Sequence, residues 1–189
     1  MRAVDLSLAL ALLAPPAPAA TPMIEIPEGP FRMGGDSGPA DERPAHEAVL
    51  SAFSIDRTPV TNADFAQFLD SAGARGAKGE RYFDDDDPDA RIHRVQGRWR
   101  ADSGYEDHPV VEVPWRGARE YCARQGKRLP TEAEWERAAR GGIEEKDYPN
   151  GDTITPKDAR FNAADGPVAV AKSAPNAFGL YDMAGNVAE

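Results

Sequence analysis

The strongest structural signal in this chain is the segment GKRLPTEAEWE at residues 126–136. Within it, Thr131 is followed three residues later by Glu134, which is the spacing of a capping box, where each side chain bonds the other residue's backbone N–H. The segment therefore predicts a helix that begins after Thr131 and ends at Gly141. The residues expected on its buried face are Trp135, Ala138 and Ala139.

Two more helices are expected upstream of this segment. Thr61 and Asp64 have the spacing of a helix start, and Gly73 is a typical helix stop. The second helix is expected over residues 115–125, because Pro114 forbids continuation from upstream and a glycine follows. The buried faces predicted from helical spacing are Phe65, Phe68 and Leu69 in the earlier helix, and Trp115, Ala118 and Cys122 in the later one.

Short strand candidates occupy the remaining apolar segments. Residues 23–26 and 31–33 bracket a Pro-Glu-Gly-Pro turn and suggest an early hairpin. Residues 49–55 are expected to form one further strand, and residues 94–100 a surface hairpin around Gln96 and Gly97. With 17 glycines, 17 prolines and no internal repeat, the 189 residues predict one loop-rich α+β domain.

Charge and metal-ligand spacing exclude several functions. A formal charge of −10 argues against a nucleic-acid partner, because phosphates favour clustered Lys and Arg. The acidic run at residues 84–89 lacks the alternating spacing and glycine turn of a calcium loop, so a solvated loop is favoured. The histidines at positions 46, 93 and 108 show no metal-ligand spacing. The single cysteine, Cys122, excludes an internal disulfide and is expected to be buried.

The N-terminus has the pattern of an export signal. Arg2 precedes an apolar run at residues 6–13, and Ala17-Pro18-Ala19 is a small-x-small cleavage site. The alternative is a disordered tail. The run is too short to cross a bilayer, and no later segment has the length of a membrane-spanning helix. We expect residues 1–19 to be a signal peptide, residues 20–189 to form the domain, and the mature protein to be periplasmic or secreted.

A candidate cation-binding loop lies within residues 179–189, GLYDMAGNVAE. Two carboxylates, Asp182 and Glu189, flank a Gly-Asn turn whose carbonyls can point inward, and hard cations such as calcium bind oxygen ligands. The alternative is a pair of helix-capping or surface carboxylates. A folded domain rarely stops on such a loop, so the sequence suggests a domain that is incomplete at its C-terminus.

Several motifs, in order, resemble those of the formylglycine-generating enzyme family, also called the sulfatase-modifying factor domain. The longest is GKRLPTEAEWERAARGG at 126–142. The others are IPEGPFRMG at 26–34, RPAH at 43–46, TPVTN at 58–62, HPV at 108–110, VPW at 113–115 and NAFGLYDMAGNVAE at 176–189. The resemblance covers residues 23–189 and implies a loop-rich variant of the C-type lectin-like fold.

The resemblance also implies calcium as a structural ion. The first site carries over to four residues: Asp182 and Glu189 through side-chain oxygens, and Gly185 and Val187 through main-chain carbonyls. A second family site would begin at Asn162 and Ala163, with Asp165 as a candidate partner. These ligand types suit a hard ion.

The activity for which the family is best known is the oxidation of a sulfatase cysteine to Cα-formylglycine, with molecular oxygen and a copper ion held by two cysteines. Thiolates suit copper(I) because both are soft. Cys122 corresponds to a helix position without a catalytic role, and the family's cysteine pair would follow Glu189, so we expect no catalytic residue in this chain. One hypothesis is a truncated formylglycine-generating oxidase whose client is a polypeptide with a sulfatase-type cysteine motif. The other is a non-catalytic, calcium-stabilised lectin-like binding or assembly module of the cell envelope.

Expression in a bacterium tests the export signal. We expect a periplasmic product whose first residue lies near Ala20, because the small-x-small site directs cleavage there. N-terminal sequencing of the purified protein measures this. A cytoplasmic product that retains Met1 would contradict the predicted localisation.

Overall fold

The structure is a computed structural model that describes residues 21–37, 39–143, 146, 148–149 and 151–189. The predicted signal peptide, residues 1–19, lies outside the described residues. The strands are β1 (Met23–Ile26), β2 (Gly29–Met33), β3 (His46–Leu50), β4 (Phe53–Asp56), β5 (Ile92–Val95) and β6 (Arg98–Ala101). The helices are α1 (Asn62–Ala72), α2 (Trp115–Arg124) and α3 (Glu132–Arg140), with a 3-10 turn at Ala40–Glu42. Most of the described chain is loop, as the sequence predicted.

The predicted hairpin between residues 23–26 and 31–33 is wrong. β1 pairs with β4 and β2 pairs with β3, both antiparallel, in separate two-stranded sheets. The physical reason lies in α3, where the buried Arg137 guanidinium donates to the Pro27 carbonyl at 2.7 Å and to the Pro30 carbonyl at 3.2 Å. These bonds hold the intervening turn on a helix 110 residues away, so β1 and β2 pair with other strands.

Two further strand predictions had different outcomes. The single strand expected over residues 49–55 is wrong, because Ser51 and Ala52 separate β3 from β4 and each pairs in a different sheet. The hairpin expected around Gln96 and Gly97 is confirmed, with β5 and β6 antiparallel on either side of the turn. The two turn residues have φ of 52° and 81°, the positive values that a two-residue hairpin turn of type I′ needs.

Helix α1 has the caps and the buried face that the sequence predicted. The Thr61 hydroxyl accepts from the Asp64 N–H at 3.2 Å, and Gly73 follows the last helical turn. The predicted core residues are at most 5% exposed: Phe65, Phe68 and Leu69. They belong to an aromatic core that β5, β6 and α2 complete, whose other large buried members are Phe83, Ile92, Trp99 and Tyr121.

The predicted buried face of α2 is wrong at its first residue. Trp115 is 64% exposed, whereas Gly117 and Tyr121 are the buried residues of this helix. Gly117 sets the orientation, because a Cβ atom there would lie 1.9 Å from the Tyr82 carbonyl oxygen. Cys122 is half-buried at the edge of the aromatic core, and burial raises the pKa of its thiol.

Helix α3 has the predicted capping box. The Thr131 side chain accepts from the Glu134 N–H at 3.2 Å, and the Glu134 carboxylate accepts from the Thr131 N–H at 2.8 Å. The same carboxylate accepts two hydrogen bonds of 2.6 Å from Arg128. The two predicted core alanines are buried, but Trp135 is only half-buried, because its indole N–H bonds a residue outside the helix.

The acidic run at residues 84–89 forms a surface loop in which Arg81 pairs with both Asp84 and Asp86. Among the described residues, no group of three or more His, Cys, Asp or Glu side chains is placed to hold a metal. No described helix combines the length and apolar composition that a bilayer crossing needs.

The ion pair between Arg128 and Glu134 makes the free energy of unfolding depend on pH. Its hydrogen bonds hold the pKa of the Glu134 carboxyl down to about 2. A lowered pKa in the folded state stabilises the fold above the ordinary value of 4.5, and this contribution is lost as the pH falls toward 2. Because the Arg128 side chain is 64% exposed, solvent screens the pair, and we expect a contribution of about 1–2 kcal/mol.

Urea unfolding of Glu134→Gln beside the unmodified chain measures this contribution. We expect the variant to be less stable by that amount at neutral pH, with the difference shrinking as the pH is lowered from about 5 to about 3. Glu132→Gln, exposed in the same helical turn, is the matched control. A stability difference that stays constant over this pH range would show that the pair is not its source.

Candidate metal centre

Asn176 ties the C-terminal segment to the end of α3. Its amide donates to the carbonyls of Ala138 and Ala139 at 2.7 and 3.2 Å. Its oxygen accepts from the N–H groups of Phe178 and Leu180, both at 3.1 Å. The residue is 7% exposed, and a buried amide must satisfy its polar groups in this way. The same bonds cap α3, whose last carbonyls lack partners within the helix.

The terminal loop, defined as residues 181–189, is held in shape by Asn186. Its backbone N–H donates to the Arg160 carbonyl at 2.7 Å. Its side-chain amide pairs with the backbone of Val168, accepting from the N–H at 2.9 Å and donating to the carbonyl at 3.0 Å. The preceding Gly185 approaches Arg160 so closely that a Cβ atom would lie 2.3 Å from the carbonyl oxygen. The Gly-Asn pair seen in the sequence is therefore what lets the loop pack here.

The two carboxylates predicted as ligands lie within electrostatic range of each other. Asp182 accepts from the Ala171 N–H at 2.8 Å, and burial raises the pKa of its carboxyl. Glu189 accepts from the Trp135 indole N–H at 2.6 Å. Although Glu189 as a residue is exposed, desolvation of its carboxyl raises the pKa, and the negative charge of Asp182 raises it further. Both carboxyls are thus easier to protonate than free ones, because their negative charge is unfavourable in this environment. A bound cation would compensate the same charge.

The backbone of the terminal loop also supplies candidate oxygen ligands. Within the part of the chain that the structure describes, the carbonyl oxygens of Gly185 and Val187 accept no hydrogen bond. Asp182 and Gly185 also line one small cavity, together with Ser173. Two carboxylates and two free carbonyls are ligands that a hard cation such as calcium accepts. In donor chemistry, the residues present therefore fit calcium.

The second predicted calcium site has a different local structure. The Ala163 carbonyl accepts from the Gly166 N–H at 3.2 Å, and Asn162 has a positive φ of 49°. The candidate partner Asp165 forms an ion pair with Arg160, which also donates to the Gly166 carbonyl at 3.1 Å. Because the Arg160 guanidinium already neutralises the Asp165 carboxylate, this carboxylate offers no uncompensated charge to a cation. The site at Asn162 and Ala163 stays a prediction.

The copper that the resemblance implies does not fit these residues. The resemblance implies two thiolates as its ligands, whereas this sequence contains one cysteine. Cys122 lies on α2 near Asp56 and Lys127, with a thiol whose pKa is raised by burial, the opposite of what thiolate ligation favours. We assign no copper chemistry to this chain.

Sequence reasoning missed the residues that bond Asp182 and Glu189 or shape the loop that carries them. Trp135 was expected only as a core residue, and nothing was assigned to Asn186 or Asn176. The signal for Asn186 was its position after a glycine, in the turn between the two carboxylates. For Trp135 the sequence gives no signal, because its bond partner is 54 positions away.

Fold and site together define a loop-rich α+β domain with a carboxylate-bearing terminal loop. A family model described as the sulfatase-modifying factor enzyme 1-like domain matches residues 11–189. The chain belongs to this family, which confirms the resemblance found in the sequence. The lectin-like detail of the fold stays a prediction.

Relatives with different names share this domain. The serine/threonine-protein kinase pkn1 of Chlamydia pneumoniae is 44% identical over 176 residues, which are 92% of this chain and 28% of that protein. The formylglycine-generating enzyme of Thermomonospora curvata is 37% identical over 210 residues, covering 88% of this chain and 69% of that enzyme. The structure of PvdO from Pseudomonas aeruginosa matches with a TM-score of 0.62 and 30% identity, over 87% of this chain and 67% of that one. This chain therefore corresponds to only part of each relative.

Proposed function

We propose that these residues form the calcium-stabilised scaffold of a formylglycine-generating-enzyme-like domain, which binds a client polypeptide and does not oxidise it by itself. The observation that carries the proposal is the pair of carboxylates on the terminal loop, Asp182 and Glu189, each bonded by one N–H group of the surrounding fold and each with a raised pKa. The client class, a polypeptide with a sulfatase-type cysteine motif, is proposed from family membership.

Calcium suits the pair better than a softer metal. The available atoms are carboxylate and carbonyl oxygens, and transition metals select imidazole or thiolate instead. Asp182 and Glu189 would bind through their side chains, and Gly185 and Val187 through their carbonyls. The ion would supply positive charge and no redox chemistry. Its effect would be to remove the repulsion between the two carboxylates and to fix the loop that Asn186 shapes.

Oxidation of a client cysteine is the second candidate function. It is favoured by the 37% identity to the formylglycine-generating enzyme of Thermomonospora curvata, of which this chain covers 69%. The single cysteine of the sequence speaks against oxidation by these residues alone. The likeness to pkn1 does not suggest kinase activity here, because the match spans only 28% of that protein, while the family model covers residues 11–189 of this chain.

Calcium should stabilise the folded chain by mass action. At a free concentration of about one hundred times Kd, the gain is about 2.7 kcal/mol. For a domain of this size, that corresponds to a rise in Tm of roughly 5–10 °C. Thermal unfolding in EDTA and in calcium chloride measures it. We expect Asp182→Ala to lose most of the gain, because a charged ligand is removed.

Asp41→Ala is the matched control, since this aspartate is exposed in the 3-10 turn. It should keep the full calcium effect. An equal rise in Tm for Asp182→Ala and the unmodified chain would rule out the terminal loop as the site. Robust oxygen-dependent aldehyde formation on a cysteine peptide by these 189 residues would refute the non-oxidising scaffold.

A further inference from the structure

One hydrogen bond joins α3 to the terminal loop. The Trp135 indole N–H donates to Oε2 of Glu189 at 2.6 Å. We infer that Trp135 is the positioning residue of the proposed cation site, because it anchors one oxygen of Glu189 and leaves the other for the ion. This inference rests on the proposed calcium site and adds a residue that is not itself a ligand.

Both proposed carboxylate ligands are anchored in the same manner. Glu189 uses Oε2 for Trp135, and Asp182 uses Oδ2 for the Ala171 N–H at 2.8 Å. Over the described residues, Oε1 of Glu189 and Oδ1 of Asp182 make no hydrogen bond, so each carboxylate keeps one free oxygen. Two such oxygens and two carbonyls would give four protein ligands, and water would complete the roughly six to eight positions of calcium.

The indole N–H of Trp135 is chemically suited to positioning the Glu189 carboxylate. An indole N–H is a neutral donor that neither accepts a hydrogen bond nor ionises near neutral pH. A lysine or arginine in its place would cancel the charge of Glu189 and compete with a cation for the same carboxylate. Trp135 therefore orients the carboxylate while leaving its charge available. Donors behind metal ligands commonly act this way, and their loss typically weakens metal binding by about 10–100-fold.

The position of Trp135 is fixed by α3 rather than by the loop. Its backbone N–H donates to the Thr131 carbonyl at 2.9 Å, in the turn that the capping box of Thr131 and Glu134 stabilises. The indole thus projects from a rigid helix, and the loop has to conform to it. A structural contact without a positioning role would stabilise the fold in EDTA but would leave calcium affinity unchanged.

Calorimetric titration with calcium chloride tests the inference on the full chain. Trp135→Phe removes the N–H and keeps an aromatic ring, and we expect it to raise the Kd for calcium about tenfold. Trp115→Phe is the matched control, because Trp115 is 64% exposed on α2, and its Kd should not change. In a Glu189→Gln background, Trp135→Phe should have no further effect, since it acts through that carboxylate.

The outcomes of this experiment distinguish a failure of the Trp135 positioning role from a failure of the proposed calcium scaffold. If the unmodified chain binds calcium and Trp135→Phe binds it equally well, the positioning role is overturned while the calcium scaffold stands. If Trp135→Phe weakens binding to the same extent with and without Glu189→Gln, the tryptophan does not act through Glu189, and the inference fails. If the unmodified chain binds no calcium, the proposed scaffold fails, and the positioning role fails with it.

Discussion

The structure depends on the attachment of residues 176–189, which include the terminal loop, to α3 at two points. At the C-terminal end of the helix, the buried Asn176 amide bonds two helix carbonyls and two N–H groups of the following turn. Near its N-terminal end, Trp135 bonds Glu189. A segment held near both ends by one rigid helix has little conformational entropy left to lose when a ligand binds, which favours a preformed site over an induced one.

The same helix also organises the N-terminal strands. Arg137 donates to carbonyls of the turn between β1 and β2, and Arg140 donates to the Gly34 carbonyl at 2.9 Å. Around α3 lies a small core whose fully buried members are Ile26, Ala138 and Leu180. The larger aromatic core lies apart from it, between α1, α2 and the β5–β6 hairpin. Much of the order around α3 therefore comes from side-chain hydrogen bonds to backbone groups, as expected of a loop-rich domain.

Local rules explain which parts were predictable from sequence. The caps of α1 and α3 and the turn at Gln96 and Gly97 depend on residues within four positions of one another, and each was predicted correctly. The pairing of β1 was not, because Arg137 acts from 110 positions away. The buried face of α2 was misjudged for a similar reason, since the close contact of Gly117 with the Tyr82 carbonyl decides it. Asp182 and Glu189 were predicted as ligands from the turn between them and the family resemblance, and that role stays a prediction. The residues that bond them could be found only from the fold.

Amide hydrogen exchange, measured with and without calcium, tests the central claim that the terminal loop and α3 form one ion-dependent unit. The account predicts that calcium slows exchange at the Asn186 and Val168 amides and, to a similar extent, at the amides of α3, because the ion stabilises both through Glu189 and Trp135. Protection confined to the terminal loop, or no change in either region, would contradict it.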